Sequence, residues 1–187
     1  MLRQMSRELT AAEIVLPATK QLIADMRETM RKTPGVGLAA PQIGLPLQLA
    51  VIEDRPEYLK DVAPELLAER ERKPVPFFVL INPRIVEHSK ETAEFYEGCL
   101  SLTGFSALVK RSRAVTVEYT DERARPKRIE ARGWFARILQ HEIDHLQGRL
   151  YIDRMETRSL TTLDNLNRYW KDQPIQTVRQ QLGLNAG

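Results

Sequence analysis

Gln140-His141-Glu142-Ile143-Asp144-His145 sets two of the chain's three histidines four residues apart with a glutamate between them, and no other stretch constrains the fold as much. On a helix, residues at that spacing lie about 6 Å apart along the axis and roughly 40° apart around it, so both imidazoles can reach one metal ion. Glu142 projects about 100° away from His141, which frees it to act as a base for a bound water rather than as a ligand. A catalytic metal usually takes three protein groups plus a water, so the helix must be packed against a segment that supplies the third.

Cys99 is the only cysteine, which excludes an internal disulfide framework and fits a reducing compartment. A lone cysteine is most often a small buried hydrophobe. Here it stands in Glu97-Gly98-Cys99-Leu100-Ser101, and if the strand ending there packs against the histidine helix, its thiolate supplies the third ligand and leaves a fourth position for water. At 187 residues, 42% hydrophobic and 28% charged, the chain reads as one globular unit spanning 1–187. Its net charge of +3 comes from 28 basic and 25 acidic residues that are mixed along the chain, so direct sequence-specific nucleic-acid binding is not expected. No apolar run approaches the roughly 20 residues that span a membrane, and no signal core opens the chain. The expected location is cytoplasmic, or organellar if a transit peptide has been removed.

Thr10-Ala11-Ala12-Glu13 has the form of a capping box, and Leu22, Ile23, Met26 and Met30 recur at helical spacing. Pro17 interrupts or restarts this first helix, and Thr33-Pro34-Gly35 closes it. Gly35 to Gly44 is a run of small residues that lets a backbone approach a ligand closely, although a tight turn with a small packing face is an equal reading. It is no phosphate loop, since no Gly-Lys-Ser/Thr follows. Gln42, a neutral double donor at its end, is the residue to aim at a substrate oxygen. Strands are expected at Leu47 to Ile52, Phe77 to Ile81 and Arg84 to His88, with Asn82-Pro83 as a turn and His88 exposed at a strand end. Pro56 to Pro76 reads as a charged surface excursion. Ala114 to Tyr119 and Lys127 to Ala131 form a hairpin, and the histidine helix begins at Gly133 and stops at Gly148. Leu150 to Ile152 is expected extended, and Thr161 to Lys171 and Ile175 to Leu182 as short helices.

At three motifs in order the chain resembles the peptide deformylase family: Gly35 to Gln42 as Gly-x-Gly-x-Ala-Ala-x-Gln, Glu97 to Ser101 as Glu-Gly-Cys-x-Ser, and Gln140 to His145 as Gln-His-Glu-x-x-His. The resemblance continues through Leu146 to Arg154 and covers about four fifths of the chain. Family members usually carry a further segment before Leu2-Arg3, and the residues from Thr161 onward vary among them. The expected fold is α+β, with mixed, mainly antiparallel sheets packed around a central metal-binding helix, an N-terminal helix and C-terminal helices.

The resemblance implies that Cys99, His141 and His145 hold a divalent metal, ferrous iron physiologically, with nickel, cobalt or zinc able to replace it. One thiolate and two imidazoles suit a soft or borderline ion. The implied reaction is hydrolysis of the N-formyl group of formyl-methionyl nascent chains to formate and a free amino terminus, with Glu142 as the proton carrier. Gln42 and the backbone N–H of Leu100 are the implied oxyanion donors. Val36, Phe95, Trp134 and Ile138 are the implied walls of the methionine pocket, with Gly35, Gly37, Glu97 and Gly98 along the substrate. Glu97 and Arg111 form an implied ion pair that holds the cysteine strand. The family's task also implies transient ribosome association. The rivals are a His-Glu-x-x-His metallopeptidase, which lacks a further histidine after His145 here; a thiol enzyme using Cys99 as its nucleophile; and a non-catalytic metal- or ribosome-binding protein, for which Glu142 has no use.

Overall fold

The computed structural model describes residues 1–33 and 35–184, so Pro34 of the expected helix-closing sequence lies outside the described residues. Thr10 caps the one-turn α1 (Ala11–Ile14): its hydroxyl accepts from the Glu13 N–H at 3.2 Å, and the Glu13 carboxylate accepts from the Thr10 N–H at 2.8 Å. The chain restarts at Pro17, a first-turn position where the missing N–H costs nothing, and α2 (Pro17–Lys32) buries Ile23, Met26 and Met30.

Two sheets follow. β1 (Gly37–Ala39), β2 (Leu49–Asp54), β3 (Val75–His88), β6 (Ala114–Thr120) and β7 (Pro126–Arg132) form a five-stranded sheet in the order β1-β2-β3-β6-β7, antiparallel throughout. β4 (Thr92–Gly98), β5 (Phe105–Ser112) and the two-residue β8 (Thr161–Thr162) form the second, antiparallel sheet. Side chains alternate across β2, so Leu49 and Val51 pack with Met26 and Met30 while Ala50 and Ile52 pack with Leu139 and Ile143 of α4 (Gly133–Leu146). The histidine helix therefore lies on the face of the large sheet opposite α2. It stops in a left-handed turn at Gly148 (φ +72°), whose N–H reaches His145 O at 3.1 Å while Arg149 N–H reaches Asp144 O at 2.8 Å.

Four local expectations are corrected. Asn82-Pro83 does not end a strand: β3 runs through it with a register irregularity between Ile81 and Arg84. Asn82 absorbs that irregularity in left-handed backbone (φ +50°), its side chain bonding both the N–H and the C=O of Leu9. The Pro56–Pro76 stretch is partly helical, with one 3₁₀ turn (Pro56–Leu59) and α3 (Pro64–Glu69). Tyr151–Asp153 is a 3₁₀ turn rather than extended, because Asp153 folds back to accept from Leu150 N–H at 2.8 Å. Thr161–Thr162 pairs with β5 before α5 (Leu163–Asn165) and a π-helical turn (Leu166–Trp170) begin, and α6 (Ile175–Gln181) completes the described chain. Among the described residues, no helix is long and apolar enough to cross a membrane.

Candidate metal centre

The β4–β5 hairpin brings Cys99 to α4. Cys99 continues the extended backbone beyond β4 (φ −144°, ψ 138°), and its Sγ lies 3.3 Å from His145 Nε2, which lies 3.2 Å from His141 Nε2. The three donor atoms all fall within 4.8 Å of one another. Ligands bound at the usual 2.0–2.3 Å around a tetrahedral ion sit about 3.3–3.8 Å apart, so one thiolate and two imidazoles at these separations fit a single metal ion.

The ring orientations have identifiable causes. His141 Nδ1 contacts Glu97 Oε2 at 2.9 Å; assigning the proton to Nδ1 leaves the Nε2 lone pair toward Cys99 and His145. Burial disfavours a charged His141 ring, yet its bonds to Cys99 and Glu97 outweigh that and raise it to about 10. The same negative surroundings favour a metal cation at Nε2. His145 is pushed down to about 3, first by burial and then by neighbouring His141, and is a neutral donor. Its Nδ1 is buried without a partner.

Glu97 is the hub behind the ligands. Its carboxylate takes a bidentate pair from Arg111 at 2.9 and 3.0 Å and a third bond from Arg137 at 2.6 Å, all three side chains being buried. Burial opposes its charge, but Arg111 and His141 prevail and hold the carboxyl well below the ordinary range. Arg111 also pairs with Asp144, which accepts two bonds from Arg154 at 2.7 and 2.9 Å. The Glu97–Arg111 pair thus stands as expected, and Glu97 is also among the residues lining the cavity over the cluster, with its oxygens engaged by Arg111, Arg137 and His141.

A cavity of about 380 Å³ opens over the cluster. Gly35, Val36, Gly37, Gln42, Gly98, Leu100, Trp134, Ile138 and Glu142 line it together with Cys99 and His141. Phe95 is corrected: it is buried on the inner face of β4 with Glu97, its ring centre 6.3 Å from that of Trp134, and its neighbour Tyr96 lines the cavity instead. Gln42 is anchored by its Oε1, which accepts from Ala39 N–H at 2.8 Å, and its Nε2 faces Ser101 Oγ at 3.2 Å and Cys99 Sγ at 3.5 Å.

Glu142 differs from every other carboxylate in the centre. It is buried, its Oε2 has no hydrogen-bond partner, and burial pushes it up to about 7. It packs on Gly37 so closely that a Cβ there would lie 2.1 Å from Oε1, which explains a glycine at a strand position with ordinary backbone angles. Arg137 and Asp144, which complete the network around Glu97, were absent from the sequence reading; one turn before His141 and three residues after it, they are charges on the helix face that carries His141.

A family model described as polypeptide deformylase matches residues 1–160. The chain is 49% identical over 165 residues to peptide deformylase 1 of Bifidobacterium longum, an alignment covering 88% of this chain and 73% of that one. It is 45% identical over 166 residues to the chloroplastic/mitochondrial peptide deformylase 1A of Arabidopsis thaliana, covering 89% of this chain. It spans less than two thirds of the plant relatives it matches, 62% of the Arabidopsis protein and 64% of the chloroplastic one from Solanum lycopersicum. Its structure superposes on a class I type b peptide deformylase of Acinetobacter baumannii, crystallised with Met-Ala-Ser bound, with a TM-score of 0.73 and 30% identity over 82% of this chain and 91% of that one. On the strength of the matched residues, the identity and the shared structure, the chain belongs to the polypeptide deformylase family.

Proposed function

We propose that the chain, acting as one catalytic unit over residues 1–187, is a metal-dependent deformylase that removes the N-formyl group from formyl-methionyl peptides. The observation that carries this reading is Glu142: a buried, unpartnered carboxylate at the wall of a cavity that Cys99 and His141 also line, two of three convergent metal donors. Cys99, His141 and His145 would hold the metal; ferrous iron is the ion proposed, since a thiolate with two imidazoles suits a borderline metal. When bound, such an ion supplies Lewis acidity and brings the pKa of a water toward neutrality.

Glu142 takes the proton of the attacking water as its oxygen bonds to the formyl carbon. The oxyanion that forms accepts from Gln42 Nε2 and from the Leu100 N–H, donors of a kind whose loss typically costs about 10²–10³-fold in turnover. Glu142 then delivers its proton to the amine as the C–N bond breaks, so the products are formate and a free amino terminus. Val36, Trp134 and Ile138 supply the apolar wall for the methionine side chain, and Gly35, Gly37 and Gly98 leave room for the peptide backbone. The substrate class makes newly synthesised chains the partner, with transient ribosome association. The compartment follows the substrate, cytoplasm or an organelle that makes formylated chains, as the names of the plant relatives illustrate for theirs.

The test is formate release from formyl-Met-Ala by anaerobically prepared protein, with acetyl-Met-Ala as the comparison. Chelation is expected to abolish release and ferrous iron to restore it, whereas a Cys99 thiol enzyme would survive the chelator. Glu142→Ala should keep its metal and lose about 10²–10⁴-fold in turnover; Cys99→Ala should lose the metal. Undiminished formate release by Glu142→Ala would sink the mechanism.

A further inference from the structure

The turn after α3 places three consecutive charged residues at the start of α4, and only two of them are paired. Glu71 takes ion pairs from Arg113 and, at 2.7 Å, from Arg132, and Arg72 makes a bidentate pair with buried Asp54 at 2.8 and 2.9 Å. The turn is held in place: Glu71 adopts left-handed backbone (φ +47°), and a Cβ on Gly133 would lie 2.4 Å from Glu71 Cβ and 3.0 Å from Arg70 O. Arg70, fixed between these contacts, has no ion pair among the described residues, and its Nε is buried without an acceptor.

Its surroundings make the omission specific. Three guanidinium groups crowd the Trp134 ring, those of Arg72, Arg70 and Arg137 at 5.2, 5.8 and 5.9 Å from its centre. Arg72 has Asp54 and Arg137 has Glu97 as carboxylate partners, and Arg70 alone has none. Glu69 and Asp172 are close enough to act on it through space, but Glu69 is turned to accept from Ile175 N–H at 3.1 Å, and neither forms a pair with Arg70 among the described residues. Burial, joined by the neighbouring Arg72 charge, depresses the guanidinium more than Glu69 and Asp172 raise it. Two neutral donors stand nearby in the same condition: Tyr96 Oη and Trp134 Nε1 are both buried with no partner.

Arg70 opens into a second cavity of about 200 Å³ that shares Tyr96, Gly98 and Leu163 with the wall of the substrate cavity. Its other walls include the apolar Leu166, Ile175 and Val178 and the charged Glu69 and Lys171, so an apolar stretch adjoins two cations and one carboxylate that is already engaged by the Ile175 N–H. We propose that Arg70, with Tyr96, forms a carboxylate-binding site beside the substrate cavity. A planar carboxylate matches the guanidinium fork, and an apolar stem leading to it matches the walls. The carboxylate can come from an acidic side chain of the peptide downstream of the methionine, or from a free small anion of the same chemistry such as formate. The peptide source rests on the deformylase reading above; the site itself does not.

The experiment uses the metal-loaded full chain in two arms. In the first, kcat/KM is measured for formyl-Met-Glu-Ala-amide and formyl-Met-Ala-Glu-amide, each against its glutamine counterpart. A charge-assisted bond at Arg70 should favour one glutamate peptide about tenfold. Arg70→Gln should bring that ratio to about one and Arg70→Lys should keep part of it, a pattern that loss of a merely structural arginine would not give. In the second arm, acetate and formate are titrated against chloride while tryptophan fluorescence is followed, since both tryptophans adjoin the site: Trp134 over Arg70, and Trp170 stacked on Tyr96. A glutamate preference lost in Arg70→Gln assigns the site to the peptide. Equal turnover of the peptides with saturable carboxylate quenching, absent in Arg70→Gln, assigns it to a free anion. Equal turnover with no quenching in the wild-type protein overturns the proposal, and if no peptide is deformylated at all, the functional reading fails while the fluorescence arm still decides the site.

Discussion

The two sheets are fastened to α4 by different forces. On one side Ala136, Leu139, Ile143 and Leu146 form an apolar stripe that packs with Ile52, Leu80, Val115 and Val117 of the five-stranded sheet. On the other, Arg137, His141 and Asp144 meet Glu97 and Arg111 of the three-stranded sheet through buried ion pairs and hydrogen bonds. Apolar burial is non-directional and sums over area, so it anchors the helix without fixing any one atom. Buried charges contribute little net stability for their desolvation cost, but their geometry is directional. The first attachment holds the helix in the fold; the second aims His141 at Cys99.

The division is broken most severely by Arg111→Met. Removing it leaves Glu97 and Asp144 buried with fewer cations, and breaking such a pair costs about 3–5 kcal/mol. A urea unfolding series should show that loss together with reduced metal occupancy, because the hairpin that carries Cys99 loses its tie to the helix. A stability change within experimental scatter, with full occupancy, would mean that the network is ornamental.

Glu97→Gln sharpens the contrast with a smaller change. The amide keeps the shape but carries no charge toward Arg111 and Arg137 and fixes the His141 tautomer less firmly. Outer partners of this kind are worth about 10–100-fold in metal affinity. Competition with a chelator of known affinity is the measurement, and an unchanged binding constant would remove Glu97 from its positioning role.

The same division governs what could be read from the chain. The hairpin of β6 and β7 shows in its alternation, Val115, Val117 and Tyr119 falling on the face that packs into the core. β5 carries no such signal: Ala107, Leu108 and Val109 are all fully buried, since one face meets the Cys99 side and the other meets Val178 and Leu184. The strand that pairs with the cysteine strand therefore has no alternation by which to read it from the sequence. At the site, the residue types and spacings of Cys99, His141, Glu142 and His145 were enough to anticipate their convergence, because metal chemistry restricts donors narrowly. For Glu97 the resemblance implies the pair with Arg111, but Arg137 and Asp144, 40 and 47 residues downstream, join it only through folded contacts, Arg137 on its carboxylate and Asp144 through Arg111.

The mildest test works from the apolar side. Ile52 is fully buried on β2 within the cluster that receives α4, and Ile52→Val deletes one methylene there. Such a change typically costs about 0.5–1.5 kcal/mol. The urea midpoint should fall with an unchanged slope, since the surface exposed on unfolding is nearly the same. Metal affinity should hold, because a small cavity beneath the helix leaves every ion pair around Glu97 in place. If metal affinity instead falls tenfold while the midpoint stays fixed, the large sheet is setting ligand geometry after all, and the separation between what stabilises this protein and what arms its metal centre does not stand.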